Sequence, residues 1–172
     1  MTEFICEPLT KRHDRASFRC GVDELDHWFQ QRARQDQDRR VAAVYVLFPT
    51  ADPTRIAGFY TLSATAIALR ELPESFAKKL PRYPLVPAIL IGRLARDVNF
   101  PGVGRKLLVD ALQRALKHAT PIAAATVLVD AKDDRAASFY QQFGFLPIPN
   151  NSRQLFLPMS VIEKLFASGS TS

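Results

Sequence analysis

At 172 residues the chain has room for one α/β domain of ordinary size and not for two. Its 47% hydrophobic and 23% charged residues exclude a disordered or fibrous polypeptide. A net charge of +6 favours an anionic partner, a phosphate-bearing small molecule or RNA, and is equally compatible with solubility alone, because net charge does not say where the charges lie.

The opening stretch MTEFICEPLTKR lacks the apolar core of a signal peptide, and the longest apolar runs, VPAILIG and PIAAATVLV, fall far short of a membrane span. A cytoplasmic protein with no membrane partner is expected. Cys6 and Cys20 match neither a disulfide framework nor the paired spacing of a zinc site, so both read as reduced thiols and no metal is expected.

In chain order, residues 4–9 predict a first strand. Residues 22–37 set Leu25, Trp28, Phe29 and Ala33 at helical spacing against a polar face, which predicts one amphipathic helix. The β-branched and aromatic run VAAVYVLF reads as a buried strand, and after the turn PTADPT the run RIAGFYTLSATAIAL is its antiparallel hairpin partner. Residues 70–87 hold Pro73, Pro81, Pro84 and Pro87, and predict an irregular excursion with at most one short helix.

From Ala88 the pattern changes. Strand AILIGRLARDV, turn NFPGVG, helix RKLLVDALQRALKHA, strand IAAATVLVDA, helix DDRAASFYQQF and a last strand around RQLFLP follow one another. Two strands joined by a crossover helix pair in parallel. The fold class is therefore α/β, with a mixed central β-sheet, antiparallel in its first half and parallel in its second, flanked by helices. The expected organisation is a single domain over residues 1–166 and a small polar, disordered tail over 167–172.

In NFPGVGRK, Gly102 and Gly104 stand where a buried strand turns into a helix. Amides at a helix start form an anion site, glycines let a phosphate approach the backbone, and Arg105 and Lys106 add positive charge. Taken alone, a Gly-x-Gly is also a plain tight turn. The Gly-Lys-Ser/Thr ending of a nucleoside triphosphate loop is missing, as are the third glycine and distal acid of a dinucleotide fold. A different phosphate-bearing cofactor remains.

This turn resembles the acetyl-CoA motif of the GNAT acetyltransferases, Gln/Arg-x-x-Gly-x-Gly/Ala after a central strand, with Asn99-Phe-Pro-Gly102-Val-Gly104 as its counterpart. Asn99 replaces the usual long side chain, and Pro101 has no N–H to donate. A second match is AASFYQQFGF at 136–145, which looks like the family's FYxxxGF signature. On residue types alone that segment is a core aromatic stripe, with Phe139, Phe143 and Phe145 in the core and Tyr140 as readily structural as catalytic. More narrowly, the chain resembles the acetyltransferase toxins of bacterial toxin and antitoxin pairs, which acetylate the amino group of aminoacyl-tRNA. The matching segments are EPLTKRHDRASFRCGVDELDHWF, IAGFYTLSA, the prolines before ILIGRLARDV, SFYQQFGF and RQLFLP.

The resemblance implies a GNAT fold and acetyl-CoA as acetyl donor. The pantetheine arm would lie along Leu94, Ala95 and Arg96, and the diphosphate would be cradled by Gly102, Val103, Gly104, Arg105 and Lys106. Tyr140 would be the general acid for the departing thiolate, since a phenol of pKa about 10 suits a thiol leaving group. Glu71, Glu74, Asp97, Asp130 and His118 are general-base candidates by residue type only. An α-amine, with a pKa of about 7.7–8.0, is partly neutral without a base, which favours an α-amine acceptor; the resemblance implies that this is aminoacyl-tRNA. Its phosphates would be met by Arg32, Arg34, Arg39 and Arg40 at the end of the first long helix, by Lys78, Lys79 and Arg82 in the excursion, and by Arg93 on the central strand. The partners implied are aminoacyl-tRNA, a ribbon-helix-helix antitoxin and a second copy in a homodimer. Two other readings stay open: acetylation of a small-molecule amine or protein N-terminus, and a catalytically degenerate binding module.

Overall fold

The computed structural model describes residues 2–169. The strands β1 (Phe4–Pro8), β2 (Ala43–Pro49), β3 (Gly58–Ala68), β4 (Leu85–Arg96), β5 (Thr126–Asp130), β6 (Leu146–Ile148) and β7 (Asn151–Pro158) are hydrogen-bonded in the order β1-β2-β3-β4-β5-β7-β6. The helices are α1 (Asp23–Gln31), α2 (Ala33–Asp38), α3 (Glu74–Ala77), α4 (Gly104–His118), α5 (Asp134–Gln142) and α6 (Met159–Gly169). The chain forms two compact units, Met1–Ser63 with Gly92–Ala111, and Ala64–Ile91 with Leu112–Ser172.

In the first unit the predicted hairpin is present. β2 and β3 pair antiparallel from Ala43↔Leu62 to Leu47↔Gly58, and β1 adds to β2 from Phe4↔Pro49 to Pro8↔Tyr45. The apolar stripe of α1 enters the core under these strands: Phe29 lies flat on Phe59 at 4.1 Å between ring centres, and Phe18 meets both edge-on at 4.9 and 5.4 Å. All three rings are fully buried, and each such side chain contributes about 1.5–3 kcal/mol through the water it leaves.

The single helix expected over 22–37 is two helices, broken at Arg32. The cause is Arg15, whose Nη1 donates to the carbonyls of Phe29 (3.0 Å) and Gln30 (3.2 Å), the acceptors that the amides of Ala33 and Arg34 would use in an unbroken helix. Helical periodicity is nearly blind to such a break, because the apolar stripe continues through it to buried Ala33.

In the second unit, β4 and β5 pair in parallel from Ala88↔Thr126 to Ile91↔Val129, as a crossover demands. β7 then returns antiparallel to β5, and β6 pairs antiparallel with β7, with a register shift between Pro147 and Ile148. The proline-rich excursion contains a 3-10 turn at Leu69–Glu71 and the short α3, and β4 starts at Leu85, earlier than expected. Phe76 of α3 anchors it by stacking on Phe156 of β7 at 5.4 Å, within a cluster of Ile67, Leu72, Val86, Leu128 and Ile148. α6 was not anticipated. Its Ile162 is fully buried, and residues 167–169 of the anticipated tail close it; residues 170–172 lie outside the described residues.

Candidate active site

β4 ends at Arg96, and the turn that follows is shaped by one carboxylate. Asp97 is wholly buried. Its Oδ1 accepts the Asn99 N–H at 2.9 Å and, at 3.5 Å, Nη2 of Arg55, while its Oδ2 accepts the Arg19 N–H at 3.0 Å. Its backbone N–H donates to Ala57 O (2.8 Å), and its carbonyl accepts the Phe100 N–H (3.0 Å). Of the general-base candidates, Asp97 is thus committed to holding backbone, whereas Glu71, Glu74, Asp130 and His118 are exposed.

Beyond Pro101, Gly102 adopts φ +88°, a left-handed conformation suited to glycine, and nothing lies within 4 Å of where a Cβ would stand. Val103 turns its side chain into the core, and its carbonyl accepts the Leu107 N–H at 3.0 Å, the first bond of α4. The turn before Leu107 is therefore the one whose amides an α-helix leaves for acceptors outside itself. Arg105 and Lys106 are exposed. Open backbone, a glycine at positive φ and two cations suit a diphosphate. Lys106 also lines an open cavity of about 570 Å³ with Phe4, Cys6, Leu47 and Asp110.

Leu94, Ala95 and Arg96 occupy the end of β4. Just before them the Arg93 N–H donates to the Thr61 side chain, at 3.1 Å from Oγ1. α4 packs close here, since a Cβ on Gly58 would fall 2.6 Å from Leu107 Cδ1 and 3.0 Å from Ala95 O.

The predicted RNA-facing cations divide. Arg39 and Arg40 follow α2 and are exposed; Arg40 has φ +62°. Arg34 is half-buried, and its Nε is enclosed without a hydrogen-bond partner. Arg93 lies over the Trp28 ring at 3.7 Å from its centre. Burial lowers the Arg93 pKa and the Asp36 charge opposes this. In the other unit Lys78, Lys79 and Arg82 are exposed.

Tyr140 belongs to the second unit, on α5, whose start is capped by Asp133 accepting the Ala136 N–H at 2.8 Å. Gly144, at φ +95°, ends the helix and turns Phe145 back so that its N–H reaches the Tyr140 carbonyl and its ring lies 5.5 Å from the Tyr140 ring. The FYQQFGF pattern thus folds locally around this tyrosine. Tyr140 is buried. Burial raises its pKa strongly, and the nearby Asp130 charge adds to the rise, so the phenol stays protonated.

A probable toxin TacT of Sinorhizobium fredii is 35% identical to this chain over 171 residues, covering 94% of each. The chain belongs to the GNAT acetyltransferase toxins. Membership makes it an acyltransferase. A second toxin of the family, the tRNA-acetylating toxin of Mycobacterium tuberculosis, is 32% identical over 153 residues, 88% of this chain and 89% of that one. The solved structure of AtaT complexed with acetyl-methionyl-tRNAfMet superposes with a TM-score of 0.87 at 28% identity, over 95% of this chain and 99% of that one. No family model matches the chain. In this GNAT toxin the service of Asp97 to the turn depends on a partner, Arg19, 78 residues away in sequence, which no local pattern reveals.

Proposed function

We propose that this protein transfers the acetyl group of acetyl-CoA to the α-amino group of aminoacyl-tRNA, with Tyr140 as general acid, and so blocks translation in the cytoplasm. Acetyl-CoA supplies an activated thioester. The neutral amine attacks the thioester carbonyl, the C–N bond forms and the C–S bond breaks. The Tyr140 hydroxyl proton goes to the departing sulfur, and the proton lost by the amine goes to water, from which the Tyr140 oxygen takes one back. Leu94–Arg96 would run along the pantetheine arm, and the backbone of Gly102–Lys106, with the Arg105 and Lys106 charges, would hold the diphosphate.

The observation that carries this reading is the state of Tyr140: a buried phenol, kept protonated, inside a segment that resembles the family's FYxxxGF signature. Exposed Arg39 and Arg40 of the first unit, with half-buried Arg34 and Arg93, and exposed Lys78, Lys79 and Arg82 of the second would each meet tRNA phosphates. A ribbon-helix-helix antitoxin is the expected neutralising partner, and a homodimer the expected assembly. The test is incubation with acetyl-CoA and charged tRNA. N-acetyl-aminoacyl-tRNA is expected from the wild type, and little from Tyr140→Phe. Turnover on free amines or protein N-termini with none on charged tRNA would replace the acceptor; no turnover and no CoA binding would leave a degenerate module.

A further inference from the structure

We infer that Asp97 is a positioning residue for acetyl-CoA, dividing the turn after β4 into a half locked by the protein and a half left for the cofactor. This rests on the acetyl-CoA reading above. The lock is visible amide by amide. The Val98 N–H donates to Arg19 O at 2.8 Å, the Asn99 N–H to the Asp97 carboxylate at 2.9 Å and the Phe100 N–H to the Asp97 carbonyl at 3.0 Å. Position 101 is proline and has no amide. Every N–H between Asp97 and Gly102 is thereby directed back into the protein, and the amides proposed for the diphosphate begin at Gly102. Pro101 therefore takes nothing from the anion site; it stands at the boundary between the halves.

The carboxylate is itself braced from outside the turn. Arg19, which gives Asp97 its N–H and takes that of Val98, lies between Phe18, a fully buried core ring, and Cys20, whose N–H donates to the buried Asp26 carboxylate at 2.8 Å. Gln30 Nε2 fixes the Phe18 carbonyl at 2.7 Å. On the other side, Arg55 reaches Asp97 and also lies over the Phe100 ring at 5.5 Å. The SFRCG segment thus acts as a clasp on the cofactor turn, with Asp97 as the piece that joins them.

A carboxylate that fixes the turn without touching reacting atoms acts on cofactor affinity. In Asp97→Asn one oxygen becomes an NH₂ that must face the N–H of Arg19 or of Asn99, so one of the two bonds is lost. The expected result is a rise of about tenfold or more in the Kd for CoA by calorimetry, with a matching rise in KM for acetyl-CoA. At saturating acetyl-CoA, kcat and the KM for charged tRNA should stay within about threefold of wild type, because an effect confined to cofactor binding leaves the later steps alone. Arg55→Met, which removes only the longest of the three contacts, should weaken CoA binding by a smaller factor of about threefold, and decides the matter if Asp97→Asn does not fold. Wild-type affinity for CoA in the variant that folds, or a fall in kcat with KM for acetyl-CoA unchanged, would overturn the inference. A wild type that binds no CoA would instead remove the acetyl-CoA reading itself.

Discussion

The guanidinium carbon of Arg93 lies 3.7 Å from the centre of the Trp28 ring, and that indole donates its N–H to Asp36 at 2.8 Å. A cation on the central strand is thus matched by an aromatic face rather than by a direct ion pair, with Asp36 behind the ring. Arg93→Met keeps much of the stem but loses the charge above the ring, and should destabilise the fold by about 1–2 kcal/mol, read as a lower urea midpoint at unchanged slope. Arg93→Lys should recover only part of this, since an ammonium does not stack as a planar guanidinium does. Equal stability of all three proteins would mean that the stack contributes nothing.

Tyr140 separates chemistry from folding. Tyr140→Phe should lower kcat by about 10²–10⁴-fold while CoA affinity and Tm stay near wild type, because the ring that packs on Phe139 and Phe145 is kept and only the proton donor is removed. Its raised pKa also sets the pH behaviour. The phenol stays protonated in the folded state where the unfolded chain would ionise, from about pH 10 upward. The unfolded chain then binds fewer protons, so this contribution to stability is complete below that pH and is lost as pH rises further. Activity should rise with pH as the acceptor amine deprotonates, and show no tyrosinate limb below about pH 10. A Tyr140→Phe variant with wild-type kcat would end its role.

Arg39 and Arg40 offer the cleanest test of RNA binding, being exposed and close to the end of α2. If both meet phosphates, replacing them with Gln should reduce the slope of log K against log salt for charged tRNA by about 1–2. It should do so without altering CoA affinity. An unchanged slope would mark them as solvated surface.

The parts of this protein that were legible in the sequence are those written locally. The β2–β3 hairpin announces itself through two apolar runs around a turn, and the single stretch from Asp133 to Phe145 carries the cap that starts α5, the FYQQFGF segment and, within it, the glycine that ends the helix. The break at Arg32 was hidden because its cause, Arg15, lies outside the helical stretch and acts on carbonyls that every sequence possesses. The same holds for Asp97: an acid at the end of a strand looks the same whether it is a base or a brace. Only the partner brought from Arg19 tells them apart. Arg93 is legible as a cation on the central strand, but not as one that lies over Trp28.

His13 should make stability depend on pH in the mildly acidic range. Its side chain is buried beside Phe48, its Nδ1 accepts the Thr10 N–H at 2.9 Å, and its Nε2–H can then donate to Glu7 at 3.1 Å. Burial lowers its pKa, and the Glu7 hydrogen bond and charge only partly oppose the shift. The unfolded chain therefore takes up a proton at higher pH than the folded one. Stability from this group is complete above about pH 6.5 and is lost as pH falls from there toward the depressed folded value. Tm measured from pH 8 to 5 should fall more for wild type than for His13→Gln; parallel curves would exclude His13 as the source.

Gly58 links the sheet to the proposed cofactor segment. A side chain there meets Leu107 Cδ1 at 2.6 Å and the backbone oxygen of Ala95 at 3.0 Å. Leu107 can swing aside, but Ala95 O belongs to the strand end proposed to lie along the pantetheine arm, and a strand held by Asp97 yields less readily. Gly58→Val should therefore cost about 1–3 kcal/mol of stability through overpacking. It should also weaken CoA binding, since relief comes by lifting α4 or displacing Ala95, and both move the proposed cofactor backbone. Gly58→Ala should do the same to a lesser degree, with Leu107→Ala restoring room for the added methyl. Urea unfolding and CoA calorimetry on the single and double variants check this: loss of stability with wild-type CoA affinity would show that Gly58 serves packing alone.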